Sequence, residues 1–264
     1  MIGVLVAAGI SAAWLISLLW SMTLSMEGLV AWQILAILLI RMQLQTGLFI
    51  VAHDAMHRVL APGRPWLNDQ LGALALLLYA GLPYGSCRTL HHRHHRFNAT
   101  PADPDFPSER HPGLLSWYGQ FMAEYLSTAQ MVRLLIGWGI LLVAFLPSNP
   151  HAAWTVLMVC TTPLLLSSWQ LFLIGTYLPH RHQRMSAEDP APHSLDWPVW
   201  LSFLACYHFG YHREHHDQPQ LPWFSLPAQR RQQRQPRFIQ NLGSVASSTH
   251  HRDDRPLHRR LECL

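Results

Sequence analysis

A long uncharged stretch near the start of the chain, Ile2–Met22, restricts the folds that this sequence can adopt. A helix rises about 1.5 Å per residue, so the stretch is long enough to cross a hydrocarbon core of about 30 Å. We expect a first transmembrane helix here. A removable signal peptide is not expected, because no basic segment precedes the stretch and no clear cleavage motif follows it.

Three further apolar stretches, residues 29–52, 132–146 and 153–176, predict additional transmembrane helices. Polar side chains interrupt the second half of the first of these, and we expect that half to face protein or a cavity: they are Arg41, Gln43, Gln45 and Thr46. The apolar run 71–82 is too short to cross unaided, which predicts a re-entrant or interfacial segment. Pro147-Ser-Asn-Pro150 is typical of the turn in a helical hairpin.

The arginines are distributed unevenly among the predicted connections. The short connections around residues 21–28 and 147–151 contain none, whereas the others contain Arg58, Arg64, Arg88, Arg93, Arg96, Arg181, Arg184 and Arg213. The positive-inside rule places these arginine-containing segments in the cytoplasm. Residues 1–227 are expected to form one membrane-embedded domain, and the polar, Arg-rich residues 228–264 a mobile C-terminal tail.

Composition excludes some classes of function. All 19 basic residues are arginine, so a mechanism that needs a Schiff-base lysine, such as retinal binding, is excluded. The pI near 9.1 does not indicate nucleic-acid binding, because no aromatic-basic recognition motif accompanies the scattered arginines. The cysteines form no Cys-x-x-Cys pair, which predicts a reduced protein without disulfides: Cys87, Cys160, Cys206 and Cys263.

Histidine is the most informative residue type, with 18 in the chain. Three clusters stand out: His53-Asp-Ala-Met-His57, His91-His-Arg-His-His95 and His212-Arg-Glu-His-His216. Spacings of i, i+3 and i+4 place imidazoles on one helical face, where they can converge on a metal. The first cluster is expected just beyond the second span and the third after the fourth, so all three meet on the cytoplasmic side. Histidines outside this pattern are expected to be ordinary surface residues: His111, His151, His193, His250, His251 and His258.

The number of clustered histidines predicts more than one metal ion. Eight imidazoles exceed the four ligands of a zinc site and the three of a two-histidine, one-carboxylate iron site. Soluble di-iron bundles use Glu-x-x-His pairs, but no glutamate here is followed by a histidine three residues later. The sequence therefore predicts a histidine-ligated site for two metals on a cytoplasmic helical cap. The predicted fold is all-α and integral to the membrane, with four transmembrane helices in two hairpins and a short re-entrant segment.

These clusters, separated by two hydrophobic hairpins, resemble the histidine boxes of the membrane fatty-acid desaturase and hydroxylase superfamily. Within it, the chain is similar to the β-carotene ketolases. The segment from Thr46 to His57 resembles that family's first box, and Asp103-Pro-Asp-Phe106 matches the residues after the second. The same holds for Gly175-Thr-Tyr-Leu-Pro-His-Arg181, for Tyr207 to His216, and for Pro219 and Pro222-Trp223. The likeness spans about residues 30–225.

The resemblance implies two non-haem iron ions held by the box histidines: His53, His57, His91, His94, His95, His212, His215 and His216. It implies His180 as a ninth ligand, because superfamily members take an extra histidine from the segment between the last span and the third box. His92 and His208 are either supporting or alternative ligands, or simply neighbours of a box. Ligating histidines usually donate their other N–H to a carboxylate or carbonyl. Asp54 is the first candidate for that role, and Asp103, Asp105 and Glu214 are weaker ones that could simply cap turns.

The implied activity is O2-dependent, with electrons from a donor such as ferredoxin and a carotenoid substrate from the bilayer. Two hydroxylations and a dehydration would convert the 4-position ring methylene of β-carotene to a ketone, giving echinenone and then canthaxanthin. Zeaxanthin, if accepted, would lead to astaxanthin. Side chains near Tyr79, Tyr84 and Trp169 could line the substrate channel, although ordinary membrane packing explains each more simply.

Three other functions compete with this interpretation. A membrane fatty-acyl desaturase or hydroxylase would use the same metal site, and the boxes alone do not separate it from a ketolase. A membrane zinc protease is suggested by the likeness of His53-Asp-Ala-Met-His57 to His-Glu-x-x-His, but a single zinc leaves two boxes unexplained. A metal transporter should place its polar ligands within the spans rather than on one aqueous side.

Overall fold

The computed structural model describes residues 2–24, 28–106, 113–181 and 191–234, and within these ranges the chain is helical with no strand. Four helices are long and apolar enough to cross a membrane: α1 (Ile2–Met22), α2 (Ala31–Met56), α6 (Thr128–Phe145) and α7 (Ala152–His180). Shorter helices join or follow them: α3 (Pro65–Ala80), α4 (Tyr84–Phe97), α5 (Leu114–Tyr125), α8 (Val199–Cys206), α9 (His212–Asp217) and α10 (Leu226–Arg234). The prediction of an all-helical protein with four long apolar helices is confirmed.

Helix α2 extends further than its apolar stretch, and the prediction that the first histidine cluster lies beyond the second span was wrong. His53 lies in the last turn of α2, and His57 is the residue that caps its C-terminus. The i, i+4 spacing of the two histidines continues the same helical face. The cluster is therefore part of the apolar helix itself.

The apolar run 71–82, which the sequence predicted as a re-entrant segment, belongs mostly to helix α3. Pro65 occupies its first turn, where a missing N–H costs no hydrogen bond, and Gly81 ends it in the left-handed conformation at φ 67°. α3 packs along α2. Gly72 permits the close approach, since a Cβ there would lie 2.6 Å from the Ala55 Cβ.

Helix α7 contains two π-helical turns, Leu157–Thr161 and Phe172–Tyr177. A proline stands two residues after each, at Pro163 and Pro179. Proline lacks the N–H that would bond the carbonyl four residues earlier, so the hydrogen bonds of the helix rearrange there. The helix continues past residue 176, where its apolar stretch was predicted to end, and His180 lies in its last turn rather than in a following segment.

Buried polar side chains in α2 join the helices, as the interrupted apolar stretch predicted. Arg41 is buried, and its guanidinium donates to the carbonyls of Val159 and Trp14, each at 3.0 Å. Pro163 cannot donate to the Val159 carbonyl, so Arg41 supplies a donor to that carbonyl. The Trp14 indole N–H donates to Gln45 at 2.6 Å. These contacts hold α1 and α7 against α2.

The chain divides into two compact units, residues 1–227 and 228–264. The second unit is described only for residues 228–234, which continue the helix α10. The rest of the predicted mobile tail lies outside the described residues.

Candidate metal centre

Four helices carry the clustered histidines to one region of the protein. α2 supplies His53 and its cap residue His57, α4 supplies the second cluster, α7 ends at His180, and α9 carries the third cluster. Residues 91, 94 and 95 share one face of α4, as i, i+3, i+4 spacing requires. His92, by contrast, is exposed.

The ring nitrogens of nine histidines converge in two groups. The first group contains His53, His57, His91, His95 and His215, and the second contains His94, His180, His212 and His216. Within each group the nearest ring nitrogens all lie within 4.8 Å of one another. The structure thus brings together the same nine histidines that the resemblance implied as ligands, and divides them into two sets.

The spacing of the nitrogens fits metal coordination. The Nε2 atoms of His57 and His91 are 2.7 Å apart, those of His95 and His215 2.9 Å, and those of His180 and His212 2.9 Å. When two imidazoles bind one metal at right angles through bonds of about 2.1 Å, their ligating nitrogens lie about 3.0 Å apart. A neutral imidazole has a single N–H, so four or five converging rings cannot all satisfy one another by hydrogen bonds. A cation would satisfy them all.

His53 gives a second indication of a missing partner. It is 3% exposed, and neither of its ring nitrogens has a hydrogen-bond partner among the described residues. Leaving a buried polar group unpaired costs about 1–3 kcal/mol. A metal in the first group would remove that cost.

Burial also keeps most of these imidazoles neutral. It lowers the pKa of His57 to about 3 and that of His95 to about 2, with neighbouring histidines adding to the effect. The pKa values of His91, His212, His215 and His216 are lowered well below the ordinary value for the same reason. Metal binding requires a free lone pair on the imidazole, so these side chains are ready to bind at neutral pH.

His94 is the exception, because an aspartate stands behind it. Its Nδ1–H donates to the Asp103 carboxylate, with distances of 2.9 and 3.1 Å to the two oxygens. Burial lowers the pKa of His94, but the hydrogen bond that it donates to Asp103 and the charge of Asp105 outweigh burial and raise the pKa overall. The contact fixes Nδ1 as the donor and leaves Nε2 directed at His216, 3.1 Å away.

The other predicted supporting carboxylates behave differently. Asp54 lies 3.8 Å from His53 Nδ1, too far for a hydrogen bond, and accepts instead from the backbone N–H of Trp223 at 3.4 Å. Asp105 lies 3.9 Å from His94 Nδ1, and burial raises the pKa of its carboxyl to about 6. Glu214 accepts a hydrogen bond from the Ser194 hydroxyl.

The remaining histidines fall outside both groups. His92 lies within hydrogen-bond distance of the Met56 carbonyl, at 3.1 Å, and His208 stacks on Tyr211. His151 and His193 are exposed, as predicted. Five others lie outside the described residues: His111, His182, His250, His251 and His258. Three free cysteines are buried, and Cys263 also lies outside the described part of the chain: Cys87, Cys160 and Cys206.

An apolar cavity of about 360 Å³ lies between α2, α3, α5, α6 and α7. A smaller cavity of about 40 Å³ adjoins the histidines and is bordered by members of both groups. The two cavities share four lining residues: Phe49, Phe121, Tyr125 and Leu171. A long apolar molecule could therefore enter the larger cavity and place one end beside the histidines.

Few of the residues that line these two cavities were predicted from the sequence. Tyr79 lines the larger cavity, but Tyr84 lines a separate polar groove and Trp169 lines none of these spaces. The four shared residues were missed, because apolar side chains in apolar helices look alike in sequence. Phe49 carried one signal, since it precedes His53 by four residues and so shares its helical face.

Comparison with known proteins identifies the family. Residues 28–240 match the family model described as fatty acid desaturase. The chain belongs to the fatty acid desaturase family.

Within this family, the chain is similar to ketolases. It is 38% identical over 233 residues to a β-carotene ketolase of Paracoccus sp. (strain N81106 / MBIC 01143), covering 86% of this chain and 91% of that protein. It is 40% identical over 200 residues to a β-carotene 4-ketolase of Protosiphon botryoides, covering 71% and 49%. It is 35% identical over 224 residues to a zeaxanthin 4-ketolase of Chlamydomonas reinhardtii, covering 81% and 48%. The predicted resemblance to the β-carotene ketolases is confirmed.

Membership in the desaturase family argues against two of the competing interpretations, the zinc protease and the metal transporter. Neither a zinc protease nor a metal transporter is supported by any of these relatives. The geometry agrees, because His53 and His57 belong to a group that includes three histidines from other helices. A single zinc bound by the first cluster would leave the second group unused.

Proposed function

We propose that this protein is a di-iron oxygenase that converts the 4-position ring methylene of β-carotene to a ketone. O2 is the co-substrate, and the electrons come from a reduced donor such as ferredoxin. One observation carries the proposal: two groups of histidines border a small cavity that adjoins a larger apolar one. This arrangement suits the oxidation of one end of an apolar molecule.

The residues present fit two metal ions. Imidazole donors suit iron, copper and zinc alike, so the choice of iron rests on the desaturase family. We assign His53, His57, His91, His95 and His215 to one ion, and His94, His180, His212 and His216 to the other. When bound, the iron ions supply the activation of O2 that allows a C–H bond to be oxidised.

The protein's own residues position the substrate and exclude water. The lining of the larger cavity is almost entirely apolar, which suits a polyene taken from the bilayer. Phe49, Phe121 and Leu171 surround the junction of the two cavities, where the ring must pass to reach the histidines. Asp103 holds the ring of His94 in one orientation.

The reaction balances over two rounds. In each, one O2, two electrons and two protons replace a C–H bond by C–OH and release one water. Two rounds on the same carbon give a gem-diol, and loss of water leaves the ketone. Echinenone is the product after one ring and canthaxanthin after both. The ketolase relatives favour this substrate over a fatty-acyl chain.

A fatty-acyl desaturase or hydroxylase is the second candidate. The match to the desaturase family model supports it, because the same metal centre would serve a fatty chain in the same cavity. For either function we infer that the histidines face the cytoplasm, with the four spans in two hairpins. The arginines near the histidine clusters support this orientation, among them Arg58, Arg88 and Arg96.

Pigment analysis of β-carotene-producing cells that express the chain tests the proposal. With oxygen, echinenone and canthaxanthin should accumulate; His215→Ala should abolish both, and the purified variant should contain less iron. His92→Ala is the matched control, because this histidine lies outside both groups and should leave iron content unchanged. Unchanged carotenoids with altered lipid acyl chains would instead establish the second candidate.

A further inference from the structure

Helix α4 has a second face that the metal centre does not use. One face carries three of the clustered histidines, and the other borders an open groove of about 630 Å³. This α4 groove is lined by residues of α4 between Tyr84 and Phe97 and by Asp69 of α3. Arg88, His92 and Arg96 follow one another at i, i+4 spacing along it, so they form one stripe on the helix.

The α4 groove is positively charged. Three arginines and one carboxylate line it, and the carboxylate of Asp69 pairs with Arg88 at 3.6 Å. The other two arginines, Arg93 and Arg96, are exposed. No acidic side chain in the described part of the chain forms an ion pair with either of them. Their charges can therefore pair with acidic groups of another molecule.

The groove lies next to the first histidine group. His92 lines the groove, and its ring centroid is 5.8 Å from that of His57 and 6.5 Å from that of His91. Both of these histidines belong to the first group. A helix with its side chains is about 10–12 Å thick, so little more than the width of α4 separates the groove from the histidines. A redox group held in the groove would be close to the metal centre while remaining at the protein surface.

The proposed reaction needs a partner that can use such a surface. Each round takes two electrons for one O2, and the electrons must come from outside the protein. The cavities beside the histidines measure about 360 and 40 Å³, so a protein that carries electrons cannot enter them and must dock at the surface. A positively charged surface speeds the association of an acidic partner and orients it.

We infer that the α4 groove is the docking surface for an acidic protein that carries one electron at a time. Acidic side chains of the carrier pair with Arg93 and Arg96, and its redox group faces His92. Two successive dockings oxidise two reduced carriers and deliver the two electrons of one round, and the two protons of that round come from water. The inference rests on the proposed function, since it assumes a reaction that consumes electrons.

Reversing the two exposed charges tests the assignment. The iron-loaded protein in lipid nanodiscs is titrated with reduced ferredoxin, an acidic iron–sulfur carrier, and both Kd and the KM for ferredoxin in β-carotene conversion are measured. The double variant Arg93→Glu, Arg96→Glu should raise both values about ten-fold or more, because like charges then meet across the interface. Added salt should weaken binding to the parent protein and affect binding to the variant much less.

Arg64→Glu is the matched control. Arg64 is exposed and does not line the groove, so the same change of charge there should leave Kd and KM at the parent values. In a second assay, a small neutral mediator reduced by dithionite replaces ferredoxin. The double variant should then convert β-carotene as fast as the parent protein, because the mediator needs no docking surface.

The outcomes separate this inference from the proposed function. An unchanged Kd in the double variant, or an equal rise in Arg64→Glu, would overturn the docking site, and so would a loss of the activity that the mediator supports. An unchanged Kd together with weaker binding of phosphatidylglycerol would show that the groove binds a lipid headgroup instead. A parent protein that binds ferredoxin through the two arginines but converts no carotenoid with either reductant would refute the proposed function and leave the docking site standing.

Discussion

Asp103 organises the loop behind the second histidine group. Besides His94, its carboxylate accepts from the backbone N–H groups of Asp105 and Ala99, at 2.9 and 3.1 Å. One side chain thus fixes both the His94 imidazole and the residue that accepts the hydrogen bond from Tyr125. Carboxylates in this role commonly contribute a factor of about 10–100 in metal affinity.

Asp103→Asn should therefore weaken iron binding about 10- to 100-fold. The amide lacks the negative charge that attracts the Nδ1–H of His94. Its NH2 group would also face one of the backbone N–H groups that now donate to Asp103, and two donors cannot bond each other. Iron retained per polypeptide during titration with a chelator is the measurement. Asp69→Asn is the control, since Asp69 bonds Tyr84 near Arg88, away from both groups. Equal iron retention in the two variants would contradict this role.

At the same scale, the sequence identified the histidines but ranked the carboxylates wrongly. Spacing alone placed imidazoles on one helical face, which is a local property. Asp54 was the first candidate, but it directly follows His53, and consecutive residues on a helix point about 100° apart. Its carboxylate accordingly reaches Trp223 and not the imidazole. Asp103 approaches His94 through a turn whose path depends on tertiary packing.

Among the elements, α7 departs most from a regular helix. Arg41 replaces one backbone hydrogen bond that a proline in α7 cannot make. The guanidinium reaches the Val159 carbonyl in the first π-helical turn and also bonds Ser17 of α1 at 3.0 Å. Inside a membrane no water is available to replace these bonds. Arg41 therefore links α1, α2 and α7.

Arg41→Met should destabilise the folded protein by about 1–3 kcal/mol, because it leaves buried carbonyls without a donor. The expected result is a lower thermal unfolding midpoint in detergent micelles. Ser17→Ala, which removes only one of the three contacts, should lower it less. Equal midpoints in Arg41→Met and the parent protein would show that these bonds do not stabilise the fold.

Hydropathy predicted which elements exist more accurately than where they end. Hydropathy measures how apolar a segment is, so the predicted spans ended near residues 52 and 176, where polar and histidine-containing turns begin. The helices continue to Met56 and His180 because their backbone hydrogen bonds do not depend on lipid. Those extra turns carry His53 and His180, so the missed helix ends contribute to both histidine groups.

On the scale of the whole molecule, the metal centre and the apolar cavity depend on each other. The histidines come from four helices, and the cavity between α2, α3, α5, α6 and α7 leads to them. No local pattern in the sequence encodes such a cavity, since it is the space that imperfectly packed helices leave. This is why the site was predictable and the passage to it was not.

Leu134→Trp tests whether the cavity is the path of the substrate. Leu134 on α6 lines the cavity, and an indole there would fill part of its 360 Å³ without touching a histidine. We expect kcat/KM for β-carotene to fall about ten-fold or more, while iron content stays at the parent value. Leu135→Trp is the matched control, because Leu135 is 54% exposed and lines neither cavity, so its variant should keep parent activity. Equal activity in the two variants would mean that the carotenoid reaches the histidines by another route.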